Sequence, residues 1–118
     1  QVDYINLHGT ATAHNDAMES LAVHALFGDR CAVSSTKPLS GHSLAAAGAL
    51  EAALCWHVLY DNPQGRLPVH WWDGQADPAL PALQVAAPPS ALGRAPQAVL
   101  SNSFAFGGSN CALLLAAG

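Results

Sequence analysis

The sequence has 118 residues, of which 51% are hydrophobic and only 10% charged, with four basic residues against eight acidic and a net charge of −4. That apolar content excludes a disordered chain, and the acidic balance leaves no basic patch for a phosphate backbone, so nucleic-acid binding is not expected. The length holds at most one domain with its own core, and so few charges predict that part of its surface is covered by more protein.

Cys31, Cys55 and Cys111 are odd in number and widely spaced, without a CxxC pair. Neither a disulfide framework nor a zinc site is predicted, and reduced thiols in the cytoplasm are the expectation. His14, His24, His57 and His70 form no HxxxH pair, so no metal is expected. No basic segment followed by an apolar stretch opens the sequence, so no secretory leader is read there. The apolar run Leu44–Leu59 is shorter than the ~20 residues of a membrane span and carries Glu51, which makes it a buried helix. The opening Gln1-Val2-Asp3, inside an element and without a methionine, reads as a piece cut from something longer.

Val2–Leu7 is short, partly β-branched and stopped by His8-Gly9, which predicts a strand. Asp16 and Glu19 have the spacing of a capping box, and Met18, Leu21, Ala22, Ala25 and Leu26 form a stripe at helical spacing. A helix over 16–27 with that stripe buried, ended by Gly28, is expected. Cys31–Ser35 reads as a second strand, 36–42 as a loop, and 43–61 as a helix apolar nearly all round and therefore packed on every side. Residues 63–96 hold seven of the eight prolines and predict an extended connection, with Leu83–Ala87 as a short edge strand. Ala98–Phe104 and Asn110–Ala116 flank a glycine turn as a hairpin. Strand, helix, strand, helix with short links predicts an α/β fold with a parallel sheet.

In such a sheet, ligands sit beyond the carboxyl ends of the strands. The first of those ends here carries His8-Gly9-Thr10-Ala11-Thr12. The second carries Ser34-Ser35-Thr36-Lys37-Pro38-Leu39-Ser40-Gly41-His42. Both ends fall on one edge of the sheet, so His8, Lys37 (the only lysine) and His42 are expected to converge in one pocket. Glu51, a carboxylate inside an apolar helix, needs a partner, and Lys37, Asp16 and Glu19 are in reach of the same area. Thr10 and Thr12 place two hydroxyls where a polar ligand arm could bind, or bond locally in an ST-turn. Phe104-Ala105-Phe106-Gly107-Gly108 sets two bulky rings beside a permissive turn, able to supply an oxyanion donor and a movable lid.

HGTAT at 8–12, STKPLSGH at 35–42 and NSFAFGG at 102–108 occur in this order across the whole chain. Together they resemble the C-terminal part of the β-ketoacyl-acyl carrier protein synthases, the elongating condensing enzymes of fatty acid and polyketide synthesis. The resemblance implies a thiolase-like α/β half, an incomplete βαβαββ unit with a mixed sheet flanked by helices. Residues 1–118 would form its one piece, beginning at that half's second strand and lacking a central first strand. It implies His8 and His42 as the active-site histidines that stabilise an enolate through neutral N–H groups, and Lys37 linked to Glu51 as a tuning residue. Asp16 and Glu19 become structural acids near the lysine, and Thr10 and Thr12 contacts of a phosphopantetheine arm. Phe104, Phe106 and Gly107 line the acyl side, with Phe106 as gate and its N–H as oxyanion donor.

The resemblance places the nucleophilic cysteine in an N-terminal half outside these residues, so none of the three cysteines is assigned as catalytic and the piece alone is expected to be inactive. Ala105 stands where the family has glycine, a change expected to stiffen the gate. The partners implied are acyl carrier protein, the chain's own N-terminal half and a second subunit in a homodimer or heterodimer. No resident cofactor is implied, because phosphopantetheine arrives on the carrier protein. The alternative is a non-catalytic partner of the chain-length-factor kind, which shares the fold and commonly lacks the histidines.

Overall fold

Tyr4, Ile5 and Asn6 are fully buried, as a strand must be when it is covered on both faces and paired on both edges. The computed structural model describes residues 1–118 and places these three as β1 (Tyr4–Asn6). Then follow α1 (Ala13–Phe27), β2 (Ala32–Ser34), α2 (Lys37–Ser40), a 3-10 turn (Leu44–Ala46) and α3 (Ala47–Leu59). The chain closes with β3 (Gln84–Val85), β4 (Ala98–Phe104), a second 3-10 turn (Phe106–Gly108) and β5 (Asn110–Ala116). The sheet order is β3-β2-β1-β4-β5, parallel except for β5. No central strand is missing from it: β1 holds the centre, with Tyr4 level with Ala32 on one side and Val99 on the other.

Alternation along β1 sends its side chains to two cores. Tyr4 joins Ala32 and Val99 against Cys55 and Val58 of α3, while Ile5 joins Val33 and Cys31 against Val23 of α1. The two helices therefore cover opposite faces of the sheet.

Helix α1 starts three residues earlier than its sequence pattern indicated and ends as expected at Gly28, whose N–H bonds to His24 O. Its buried residues are Glu19 and Val23. The apolar stripe expected inside is outside, with Met18, Leu21 and Leu26 at 44%, 60% and 76% exposure. Val23 and half-buried Phe27 anchor the helix, and Glu19 takes the other inward position. Residues 36–42 are not all loop: Pro38 sits in the first turn of α2, where its missing N–H costs nothing. The expected single helix 43–61 is a 3-10 turn that opens at Leu44, whose φ is +50°, followed directly by α3. Nor is α3 packed on every side: Ala47, Glu51, Cys55 and Val58 are buried while Leu50 and Trp56 are exposed. The sheet covers one side of it only.

Residues 60–97 return across the sheet edge and contribute β3. Their last turn is tied back to the start of β1, where buried Asp3 accepts hydrogen bonds from Arg94 Nη2 (2.6 Å) and from the Gln97 (2.7 Å) and Ala98 (3.2 Å) backbone N–H groups. No helix is long and apolar enough to cross a membrane.

Candidate active site

The loop after β1 turns sharply at Gly9, whose φ is +45°. Glu19 holds that turn from α1. Its Oε1 accepts the His8 N–H (2.8 Å) and Asn102 Nδ2 (3.2 Å), and its Oε2 accepts the Gly9 N–H (2.9 Å) and Asn15 Nδ2 (3.4 Å). Burial pushes the Glu19 carboxyl up, against the pull of those four donors. The capping box predicted from Asp16 and Glu19 is therefore not formed; Thr12 precedes the helix without a side-chain cap, and Asp16 accepts only from Asn15.

On the α3 face, Asn6 and Ser34 end β1 and β2, and Ser101 of β4 lies level with Asn6; all three polar side chains are buried. Tyr4 Oη and Ser34 Oγ share a 2.6 Å hydrogen bond, and Asn6 Nδ2 donates to Tyr4 Oη (3.2 Å) and Thr36 Oγ1 (3.3 Å). Beyond this layer Lys37, 7% exposed, pairs with Glu51, 1% exposed. A buried ion pair adds little to stability because of its desolvation cost, so its place beside a histidine is the informative feature. Lys37 Nζ lies 3.5 Å from His8 Nδ1.

His8 is held below the ordinary imidazole value by burial first, then by the positive charges of Lys37 and His42, with Asp16 opposing. Its ring is therefore neutral near pH 7. An ammonium has only donors to offer, so Nδ1 faces it as acceptor and the ring proton sits on Nε2. His42 meets the His8 ring edge-on at 5.5 Å between centroids and is itself exposed. Phe104 packs on His8 at 5.8 Å. His8, Lys37 and His42 thus come together at the carboxyl end of β1 as the sequence led one to expect, with Glu51 behind the lysine. Asp16 and Glu19 are not partners of the lysine.

The outer residues are looser. Thr10 and Thr12 bond to each other, Oγ1 to Oγ1 at 2.9 Å, around Ala11 at φ +61°. A non-glycine residue in that region is strained, a condition that gathers at ligand sites. Phe106 is fully exposed and no part of the ring cluster on His8. Gly107 and Gly108 take φ of +79° and +82°. Ala105 has φ −130°, extended backbone that any residue adopts, so alanine there imposes no strain of its own. Cys31 and Cys55 are buried, which pushes each thiol up to about 11, while Cys111 is exposed. The two buried thiols are poor nucleophiles. No group of three or more His, Cys, Asp or Glu is gathered as a metal site would need.

His70 did not stand out in the sequence, where it has no HxxxH partner. Trp71 is exposed, but the His70 ring turns inward and its Nδ1 accepts the Ser35 N–H at 2.9 Å. It lines a cavity of about 680 Å³ on the α1 face, with Gly9, Asp16, Ser35, Trp72 and Val85. A histidine followed by two tryptophans gives no periodic signal, and only the fold brings it to the end of β2.

Residues 1–63 match the family described as the β-ketoacyl synthase C-terminal domain. A 3-oxoacyl-[acyl-carrier-protein] synthase 2 of Coxiella burnetii is 38% identical over 98% of this chain and 27% of its own length. Nodulation protein E of Rhizobium leguminosarum is 36% identical over 95% of the chain and 27% of its own length. Among solved structures, a ketosynthase of Xenorhabdus doucetiae, in complex with its chain length factor, superposes with a TM-score of 0.87 at 45% identity, over 99% of this chain and 29% of that one. A β-ketoacyl synthase of Burkholderia phymatum gives 0.80 at 36%, over 96% and 27%. The chain thus spans about a quarter of the length of the curated relatives it matches. With the sheet order, the strand-end histidines and these likenesses agreeing, the chain belongs to the β-ketoacyl synthase family and has its thiolase-like fold.

Proposed function

We propose that this chain is the C-terminal part of a 3-oxoacyl-[acyl-carrier-protein] synthase that elongates an acyl chain by decarboxylative Claisen condensation in fatty acid or polyketide synthesis. The observation that carries the reading is the contact of Lys37 Nζ with His8 Nδ1, which leaves Nε2–H as the donor of a neutral ring. His42 beside it offers a second N–H. A malonyl thioester bound with its carbonyl oxygen between them loses carbon dioxide, and the two donors stabilise the enolate oxygen. The enolate carbon then attacks an acyl thioester carried on a cysteine of the rest of the protein. That carbon–sulfur bond breaks, the thiolate leaves, and the 3-oxoacyl chain stays on the carrier protein.

Lys37 and Glu51 hold His8 neutral and oriented. Thr10 and Thr12 receive the phosphopantetheine arm, so no resident cofactor is needed. Phe104 walls the acyl side, and the Phe106–Gly107 turn supplies the gate and a backbone donor. The protein acts in the cytoplasm with acyl carrier protein, and a second subunit, its own copy or a chain length factor, completes the assembly. The intact His8, Lys37 and His42 favour a catalytic chain over a non-catalytic partner. These 118 residues alone yield no product, because the acyl-accepting cysteine belongs to the rest of the protein.

The test is carbon dioxide release from malonyl-carrier protein by the full-length protein. His8→Ala and His42→Ala should each lower it by roughly 100-fold or more, the scale for losing one preorganised donor. Release unchanged in both variants refutes the reading.

A further inference from the structure

We infer that His70 is a positioning residue for the active site, acting through Ser35 from the opposite face of the sheet. The inference rests on the catalytic reading of His8 and Lys37 above. β2 ends at Ser34, and β3 pairs only with Ala32 and Val33. The next donor along β2, the Ser35 N–H, is buried and has no strand to receive it, yet a buried N–H needs an acceptor. His70 supplies it. Its own N–H donates to Ala86 O at 2.9 Å, just past β3, and its ring nitrogen Nδ1 takes the Ser35 N–H at 2.9 Å. The histidine therefore continues the ladder with a side chain where the strand has run out.

Ser35 is the knot between the two catalytic loops. Its Oγ donates to Gly9 O (2.9 Å), fixing the turn that carries His8, and lies 3.4 Å from the Lys37 N–H. From the other side Glu19 holds the His8 and Gly9 N–H groups. The His8 turn is clamped between these two anchors, and only the Ser35 anchor also reaches Lys37. The Lys37–His8 contact of 3.5 Å is already at the outer limit of a hydrogen bond. A small shift of Ser35 thus loosens His8 and Lys37 together, and misplacement by about 1 Å can cost about 100-fold in rate.

The role requires an acceptor at Nδ1, so the neutral His70 carries its proton on Nε2. Burial holds its pKa below the ordinary value, with the Asp16 carboxylate opposing. Asn places a carbonyl oxygen the same number of bonds from Cβ as Nδ1, so it can replace the acceptor without the ring.

The experiment uses the full-length protein and carbon dioxide release from malonyl-carrier protein. His70→Ala should lower kcat by roughly 10- to 100-fold with KM little changed, and His70→Asn should restore most of it. Equal loss in Ala and Asn, or no loss in Ala, overturns the inference. In parallel, nitrogen-15 NMR of the histidine-labelled wild type, assigned with His70→Asn, should find His70 with its proton on Nε2. A proton on Nδ1 overturns the inference even if His70→Ala fails to fold. Wild-type protein without decarboxylation refutes the functional reading instead, and the NMR result then decides the His70–Ser35 bond alone.

Discussion

Gly9 has a φ of +45°, and a methyl group on its Cα would lie 2.5 Å from Ser35 Cβ and 2.7 Å from Ser35 Oγ. The left-handed backbone alone disfavours any other residue by about 1–2 kcal/mol, and overpacking adds about 1–3 kcal/mol. Gly9→Ala should therefore lower the unfolding free energy by roughly 2–5 kcal/mol, read by urea denaturation, and should lower decarboxylation as well, because relief of the clash pushes Ser35 away from Lys37. A stability within error of wild type contradicts this account of the turn. At this scale the sequence is a good guide where chemistry and position coincide. A lone lysine and two histidines at strand ends are legible because apolar strands and a glycine frame them. Glu19 is misread because the same three-residue spacing suits a carboxylate that folds back on its own helix or one that reaches across to a neighbouring loop. His70 is invisible because its partner is a backbone N–H left over from a strand that ends early.

Among the elements, the long connection 60–97 gives Leu67 and Ala86 to the core, and its closing turn depends on one carboxylate. Burial pushes the Asp3 carboxyl up, but Arg94 and the Gln97 and Ala98 N–H groups outweigh it and leave the pKa lowered. Arg94 is half exposed at its side chain whereas Asp3 is buried, so the exposed partner contributes little. Asp3→Ala strands two backbone donors and should cost about 1–3 kcal/mol. Arg94→Ala leaves those donors satisfied and should shift the thermal midpoint much less, and equal shifts in both variants would make the ion pair, not the backbone, the anchor. Helix types and order are readable from periodicity, but which face is buried is not. The stripe of α1 and the all-round apolar α3 look like core in the sequence, yet Leu21, Leu26, Leu50 and Trp56 are exposed. Apolar spacing reports that a face is to be covered, not by which chain segment, and this chain is about a quarter of its relatives' length.

For the molecule as a whole, the perturbed groups set limits on both sides of neutral pH. His8 and His70 are both held below the ordinary value of 6.5, burial being the first cause in each. As pH falls through 6.5, the unfolded chain takes up protons that the folded one refuses, so their stabilising effect is present above that pH and lost below it. Glu19, held above 4.5 by burial, works the other way. On the alkaline side Cys31 and Cys55 are raised from 9.0 to about 11 by burial, and Tyr4 is raised as well. The unfolded thiols lose protons above pH 9.0 while the folded ones keep theirs, so stability is full below 9.0 and lost as pH rises toward 11. Urea midpoints of the full-length protein should therefore be highest between about pH 6.5 and 9 and fall on either side. His70→Asn should flatten the acid limb relative to wild type, and the double variant Cys31→Ala, Cys55→Ala should flatten the alkaline one while lowering stability throughout, since both thiols fill core space. Limbs of unchanged slope in these variants would exclude His70 and the two thiols as the source of the pH dependence.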